Sequence, residues 1–330
     1  MKRPGTCLAV ACAFVPLLAG CTVSQGHSSM LMPADARPSA TQSPSSTRED
    51  VRPKYRGLTG LYVSDTGGYG IRPRIDILRN GSYADAGMLK KKIVMPAGNF
   101  IDELGNFYVA DLGAGDIKQY APRAELPAFT YNAGMKAPVD VTVDRNGNVY
   151  EADSPLGESG AGSVREYAQR TNAPIHTCAT GGEATSGADG VAVDREGDVF
   201  VVAGPKILEY KHGLSGCDAT PLGVTLYSGD GIALDKNENL IVTDAAGSLD
   251  IIDPPYTHIT RQLDFSPGLP IEVRINKSNT LLFLVTQSPP GLFGGNILVL
   301  DYPSGTLVES LTLPDDGYPS SAVDGPNAVY

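Results

Sequence analysis

One strand-like phrase returns along the chain, and this repetition limits the possible folds more than any other feature. The copies of the phrase are GLYVSD (60–65), GNFYVAD (105–111), GNVYEAD (147–153), GDVFVVA (197–203) and ENLIVTD (238–244). Self-similarity at a period of about 20–50 residues is typical of solenoids, propellers and arrays. The sequence therefore predicts a modular fold built from one repeated unit.

The spacing of the copies predicts six units. Each copy is anchored at the residue nine positions before the end of its phrase. The anchors are Arg56, Asp102, Asp144, Asp194, Asp235 and Asn276. Successive anchors lie 41 to 50 residues apart, so six units fill residues 51–330 with no long segment left over.

Each unit contains the pattern of four short β-strands. In the unit anchored at Asp194, the apolar run VAV (191–193) leads to the anchor, and the turn DREGD is followed by the repeated phrase and by ILEY (207–210). Asn-Gly and related pairs in these turns accept the positive φ of tight hairpins. The sequence lacks a convincing amphipathic helix and predicts an all-β, six-bladed β-propeller of four-stranded blades. A seven-bladed propeller or a sandwich is the nearest rival fold.

The two ends of the repeat region complete each other. The segment DVRPKYR (50–56) makes a poor first strand, whereas SSAVDGPNAVY (320–330) matches the unit opening DVTVDRNGNVY (140–150). We therefore expect the C-terminal segment to supply the innermost strand of the first blade. Such a strand would close the ring and remove an open sheet edge.

The repeat also permits a resemblance to be stated. The segment DGVAVDREGDVFVVAGPKILEY (189–210) is the best copy of a pattern that resembles the NHL repeat, over about 275 residues. This resemblance implies a propeller. It does not assign a function, because such propellers serve as lyases, lactonases, receptors and binding platforms.

The N-terminal residues have the composition of an export signal. Lys2 and Arg3 precede an apolar run at 6–18 that is too short to span a bilayer comfortably. The run ends in LAGC (18–21), which resembles the lipobox of bacterial lipoproteins. The resemblance implies that residues 1–20 are a signal peptide and that Cys21 carries a lipid. An ordinary secretory signal with a chance cysteine is the alternative.

The segment that follows the lipobox predicts a tether. Residues 21–50 are rich in Ser, Thr, Pro and Ala, have little to bury and are expected to be disordered. Residues 51–330 are expected to form the propeller. Thr22 stands where an inner-membrane retention signal has Asp, so we expect a cell-envelope protein, at the outer membrane if the host has one.

The net charge limits the classes of molecule that the protein can bind, and the cysteine content bears on whether it contains a disulfide. A net charge of −11 would repel nucleic acid, and we expect a monomer that contacts the membrane through its lipid anchor only. Cys178 and Cys217 are the two cysteines beyond the lipobox. A disulfide is typical of an exported protein, but the repeat places both residues near the outer edges of neighbouring units, where their separation could be too great. The pairing is left open.

Two sets of acidic residues recur in the units. The first set ends the repeated phrase, and its expected role is structural, through accepted backbone N–H bonds in the following loop; its members are Asp65, Asp111, Asp153 and Asp244. The second set begins the innermost strands, and its members are Asp140, Asp189, Asp230 and Glu272, with Asn99 close to the same position. We expect this second set at the mouth of the central channel, as a candidate ligand or cation site. No cofactor is required by the sequence, and Ca²⁺ is the ion that clustered carboxylates would bind; solvated loop acids are the alternative.

Two function classes remain. The histidines beyond the tether are His176, His212 and His258, and all three are expected at the outer edges of their blades. A channel histidine for acid–base work is therefore not expected. A surface-anchored, non-catalytic propeller that binds a protein, a glycan or a small ligand is the leading hypothesis. A metal-dependent hydrolase or lyase similar to the gluconolactonase propellers is the alternative.

Overall fold

The computed structural model describes residues 60–67, 71–154, 162–181, 187–265, 268–288, 294–313 and 317–325. The predicted signal peptide, Cys21 and the tether lie outside these residues. The described part consists of 24 β-strands and one short 3₁₀ turn, Ser215–Cys217. None of the described ranges contains a helix that could span a bilayer.

The strands form six four-stranded antiparallel sheets, the blades, and one edge strand of each blade lies innermost, where it contacts the inner strands of the two neighbouring blades. Blade 1 contains β1 (Gly60–Asp65), β2 (Arg74–Arg79) and β3 (Asp85–Leu89); blade 2 contains β4 (Pro96–Ile101), β5 (Phe107–Asp111), β6 (Asp116–Tyr120) and β7 (Phe129–Tyr131); blade 3 contains β8 (Pro138–Val143), β9 (Val149–Asp153), β10 (Ser163–Tyr167) and β11 (Pro174–Ala179). Blade 4 contains β12 (Gly190–Val193), β13 (Val199–Ala203), β14 (Lys206–Tyr210) and β15 (Ala219–Pro221); blade 5 contains β16 (Gly229–Leu234), β17 (Leu240–Asp244), β18 (Ser248–Ile252) and β19 (Arg261–Asp264); blade 6 contains β20 (Leu269–Ile275), β21 (Leu281–Gln287), β22 (Gly295–Asp301) and β23 (Leu307–Leu311).

The last strand of the described residues, β24 (Pro319–Asp324), completes the first blade. It pairs antiparallel with β1 and lies innermost in the order β24-β1-β2-β3. The six-bladed architecture and its closure by the C-terminal strand are therefore both confirmed.

The anchor residues organise the hairpins between the first and second strands. One carboxylate oxygen of Asp144 accepts the N–H groups of Asn146 and Asn148, at 2.8 Å each. Asp102, Asp194 and Asp235 bind the N–H groups two and four residues later in the same way. The repeated acid therefore replaces missing backbone partners in a tight turn, which explains why it recurs.

The core lies between the blades. Each pair of neighbouring blades shares one cluster of buried apolar side chains, so that six clusters follow one another around the ring. In the cluster between blades 2 and 3, Tyr108 and Val141 are fully buried. A fully buried side chain of this size contributes about 1.5–3 kcal/mol, so the repeated apolar phrase mainly provides blade packing.

The aspartates at the ends of the second strands hold the loops that enter the first strands. Asp111 accepts the N–H groups of Val94 and Met95, at 2.9 and 2.7 Å. Asp153 and Asp244 bind the corresponding loops of blades 3 and 5. The predicted structural role is confirmed, although the main partners lie in the preceding loop of the same blade, because the end of each second strand faces the start of the first strand.

Buried cations on the third strands of blades 2 and 3 compensate two of these aspartates. Lys118 lies 2.7 Å from Asp111, and Arg165 lies 2.6 Å from Asp153. Blade 4 has Ala203 at the position of the aspartate and Leu208 at the position of the cation. Blade 5 keeps Asp244 but has Asp250 at the position of the cation, so the pairing of this aspartate with a third-strand cation is a feature of individual blades.

Candidate functional site

The first strands of the blades surround the central axis, and the predicted site residues lie where these strands begin. The residues concerned are Asn99 in β4, Asp140 in β8, Asp189 just before β12, Asp230 in β16 and Glu272 in β20. At this end of the ring the start of each first strand pairs with the end of the second, as Pro138 does with Asp153. We call this end the channel mouth.

Arg274 occupies the space between two of these carboxylates. Its guanidinium donates to Glu272 at 2.7 Å and forms a close ion pair with Asp140. Asp140 belongs to blade 3 and Glu272 to blade 6, so this ion-pair network crosses the channel. Only 4% of the Arg274 side chain is exposed, and the network is therefore part of the interior.

Backbone carbonyl groups complete the environment of Arg274. The Nε atom donates to the carbonyl oxygen of Asn99 at 2.9 Å, and Nη1 donates to that of Ile232 at 3.2 Å. These oxygens come from blades 2 and 5. One side chain thus connects four of the six blades.

The electrostatics favour a charged Arg274. Burial alone lowers the pKa of Arg274, but the carboxylates of Asp140 and Glu272 outweigh it and hold the pKa above its usual value. Burial raises the pKa of Glu272 well above normal, against the opposing charge of Arg274. The guanidinium is therefore the fixed charge of the network, and the two acids are held by it.

Asn99 has a different role from the acids. Its side-chain amide donates to the hydroxyl of Ser64 at 2.9 Å and accepts from the hydroxyl of Ser321 at 3.0 Å. Both serines belong to blade 1, in β1 and β24. The Asn99 side chain therefore joins blade 2 to the closing strand.

Asp189 and Asp230 lie outside the contacts of Arg274. Asp189 accepts a hydrogen bond from the Ser154 hydroxyl at 2.8 Å. Burial raises the pKa of Asp230 well above normal, and the nearby carboxylates of Asp189 and Asp140 raise it further. Both residues are half-buried, and neither is paired with Arg274, so these two are the members of the acidic set that remain for a ligand.

The other end of the channel contains a small cavity. A cavity of about 50 Å³ is lined there by Thr142, Val193, Leu234, Ile275 and Arg274, among others. A cavity of this size accommodates only a few water molecules. Within the described residues, no group of three or more His, Cys, Asp or Glu side chains has the arrangement of a metal site.

The loop before β16, at the channel mouth, has an exposed side chain on a backbone that hydrogen bonds hold in place. Asp244 fixes the N–H groups of Tyr227 and Ser228, at 2.7 and 3.1 Å, and the Tyr227 side chain is 75% exposed. Tyr227 precedes β16, the strand that carries Asp230. An exposed aromatic residue on a fixed loop, in the segment that leads directly into Asp230, is an arrangement suited to binding.

Cys178 and Cys217 form a disulfide that joins blades 3 and 4. Their Cα atoms are 5.3 Å apart. Cys178 lies on the outer strand β11, whereas Cys217 lies in the 3₁₀ turn before β15. Leu214, just before this turn, is buried in the cluster shared by the two blades, and this packing brings the cysteines together.

The described histidines lie away from the channel. His176 is on the outer strand β11 and lies 2.9 Å from Glu166. His212 follows β14, and His258 lies between β18 and β19. These positions agree with the expectation from the repeat.

Arg274 is not among the site residues predicted from the sequence, although the sequence contains a signal for it. Two positions before the anchors, blades 2 to 5 have Phe100, Thr142, Ala192 and Ala233. Blade 6 has Arg274 at this position. A charged residue at a position that is otherwise apolar or small indicates a buried partner of opposite charge, and the second acidic set supplies it.

Comparisons with known proteins extend the description of the fold. No protein-family model matches the chain, and no curated protein is detectably similar to it in sequence. A chain of the crystal structure of a nidogen/laminin complex is similar with a TM-score of 0.63 and 15% identity, over 80% of this chain and 97% of that one. A chain of Kuenenia stuttgartiensis hydrazine synthase is similar with a TM-score of 0.51 and 13% identity, over 68% of each chain. At such identities these similarities support the β-propeller fold and assign no activity to the chain.

Proposed function

We propose that this protein is a non-catalytic binding propeller, built from NHL-type repeats, whose channel mouth receives a protein, glycan or small ligand. The observation that carries the proposal is the arrangement of Tyr227, Asp189 and Asp230 at the mouth. The Tyr227 ring is exposed on a fixed loop, and Asp189 and Asp230 are half-buried residues at the starts of β12 and β16 that are not paired with Arg274. Exposed side chains on loops that a rigid scaffold holds are a common way to build a binding surface.

The contacts of Arg274 weigh against the alternative of a metal-dependent hydrolase or lyase. Such a site would need carboxylates that are free to bind a divalent cation. Asp140 and Glu272 instead form ion pairs with Arg274. Arg274 already supplies the positive charge that the two acids would otherwise take from a metal ion. A binding function is therefore better supported than a metal-dependent enzyme.

The structural comparison is compatible with a binding role. One of the similar chains comes from a complex of nidogen and laminin, two proteins that assemble with each other. The similarity extends over most of both chains. A protein is therefore a suitable first class of ligand to test.

Photo-cross-linking from the channel mouth tests the binding proposal. Benzoylphenylalanine is placed at Tyr227 in the full chain and, as a matched control, at the exposed Val308 on the outer strand of blade 6. We expect discrete covalent adducts between the protein and its bound ligand when the cross-linker is at position 227, and no such adducts when it is at position 308. Asp230→Asn should weaken the adducts from position 227, because it removes a carboxyl group beside the bound ligand. Equal adducts at both positions, or none at position 227, would contradict the proposal.

We further propose that Cys21 anchors the chain to the bacterial cell envelope, at the outer membrane if the host has one. The LAGC motif supports lipid attachment, and the Cys178–Cys217 disulfide is typical of proteins in oxidising compartments. Cys21→Ser is expected to move the protein from the membrane fraction to a soluble or unprocessed form, as measured by fractionation and immunoblotting. Unchanged fractionation would show that the anchor is wrong and would favour an ordinary secretory signal.

A further inference from the structure

A loop with consecutive lysines and exposed apolar side chains connects blade 1 to blade 2. It reads KKKIVM at residues 90–95, between β3 and β4. Lys90, Lys91 and Lys92 are exposed, and Val94 and Met95 are 51% and 42% exposed. Exposed apolar side chains next to a run of cations are unusual on a soluble surface and suggest an interaction site.

One ion pair joins a second segment to this loop. The Lys91 ammonium is 3.0 Å from the carboxylate of Glu125, which belongs to the hairpin between β6 and β7. The same hairpin contributes the exposed Arg123 and Leu126, and Leu126 is 51% exposed. We call residues 90–95 and 123–126 together the rim patch; it contains four cations, one carboxylate and three exposed apolar side chains.

The rim patch differs in charge from the rest of the chain. The whole chain has a net charge of −11, whereas the patch is positive. A complementary partner must therefore be negatively charged. A purely polar acidic partner would leave Val94, Met95 and Leu126 in water, whereas the interface of an anionic bilayer accepts cations at the headgroups and apolar side chains just below them.

The backbone of the loop is already fixed. Asp111 binds the N–H groups of Val94 and Met95, and both side chains pack so closely over Gly113 that a Cβ atom there would lie 2.8 Å from each of them. Docking of this part of the loop therefore requires little additional ordering, which favours binding.

We propose that the rim patch is a second membrane contact, which docks the tethered propeller on a bilayer containing anionic lipids. It rests on the proposed anchoring at Cys21, which brings the domain to a membrane, and it adds a protein surface to that lipid anchor. The lysines and Arg123 bind the headgroups, and the apolar side chains enter the interface. Val94 and Met95 lie at the channel-mouth end of the ring, as Tyr227 does, but they precede the first strand of blade 2, whereas Tyr227 precedes that of blade 5.

Vesicle binding tests the proposal without the anchor. The full chain carrying Cys21→Ser is mixed with vesicles of phosphatidylcholine containing phosphatidylglycerol, and with vesicles of phosphatidylcholine alone. We expect binding to the anionic vesicles only, weakened by salt because the charges are exposed. Replacing Lys90, Lys91 and Lys92 by Ser should reduce binding roughly a hundredfold, since each lysine near an anionic surface contributes about a fivefold effect.

A matched variant separates the patch from net charge. Lys206, Lys236 and Lys277 are exposed on blades 4 to 6, and their replacement by Ser changes the net charge equally; this variant should bind as the parent does.

A fluorescent label at Met95 should be quenched by lipid-borne quenchers, whereas a label at Val308 should not. Equal loss in both triple variants, or no vesicle binding by the parent, would overturn the proposal. Binding of polyglutamate without vesicle binding would overturn it in favour of an acidic protein partner. Cell fractionation of the wild-type chain tests the Cys21 anchor separately.

Discussion

Removing β24 is expected to unfold the whole propeller and not blade 1 alone. A chain that ends before Tyr318 loses the ladder between β24 and β1 and the fully buried Val323. Burial of Val323 alone contributes about 2 kcal/mol, and the entire domain is expected to have about 5–15 kcal/mol of stability. The melting temperature measured by circular dichroism should fall by roughly 10 °C or more, or the cooperative transition should disappear.

Addition of the missing strand provides the control. A peptide spanning residues 317–325 contains the strand and the residues beside it, and it should restore the transition of the shortened chain. A peptide of the same composition in scrambled order should not, because the register of β24 on β1 fixes which side chains face the core. Wild-type melting of the shortened chain would show that β24 does not close the ring.

Arg274→Met is expected to lower the free energy of unfolding by about 3–5 kcal/mol, because two buried acids lose their shared cation. Denaturant titration of the variant and the wild type measures the difference. Adding Asp140→Asn and Glu272→Gln to Arg274→Met should recover much of the loss, since the charges then disappear together. If the single variant is as stable as the wild type, the ion pairs of Arg274 do not hold the channel together.

Calcium distinguishes this network from a metal site. In the Arg274→Met chain the carboxylates of Asp140 and Glu272 become available, and Ca²⁺ should raise the melting temperature relative to a chelator. The wild type should show no such rise, because Arg274 supplies the positive charge. A clear effect of Ca²⁺ on the wild type would contradict this and favour the metal-dependent hydrolase.

The fold could be predicted because its determinants are local and repeated. The turn acids at Asp102 and Asp144 act on residues within four positions, and the apolar phrases pack against equivalent phrases of the next blade. Even the closing strand was visible, since its sequence resembles the opening of a unit. Six consistent copies made the signal much stronger than any one of them.

The site depended on contacts between residues far apart in sequence. Arg274 and Asp140 are 134 positions apart and meet only because the ring brings blades 3 and 6 to one axis. The disulfide raised the same difficulty. The repeat places Cys217 near an outer edge, but it could not show that the turn after Leu214 packs against blade 3.

Closure by β24 also determines the order in which the chain can fold. Tyr318 donates its N–H to Asp65, a partner 253 residues earlier in the sequence. During synthesis β1, β2 and β3 emerge first, yet blade 1 lacks its inner strand until the other five blades and β24 have been made. Long-range pairing of this kind slows folding, and the waiting edge of β1 is open to wrong partners. Substitutions of buried residues in β24 should therefore reduce the yield of folded protein more than substitutions of equally buried residues in blades 3 and 4.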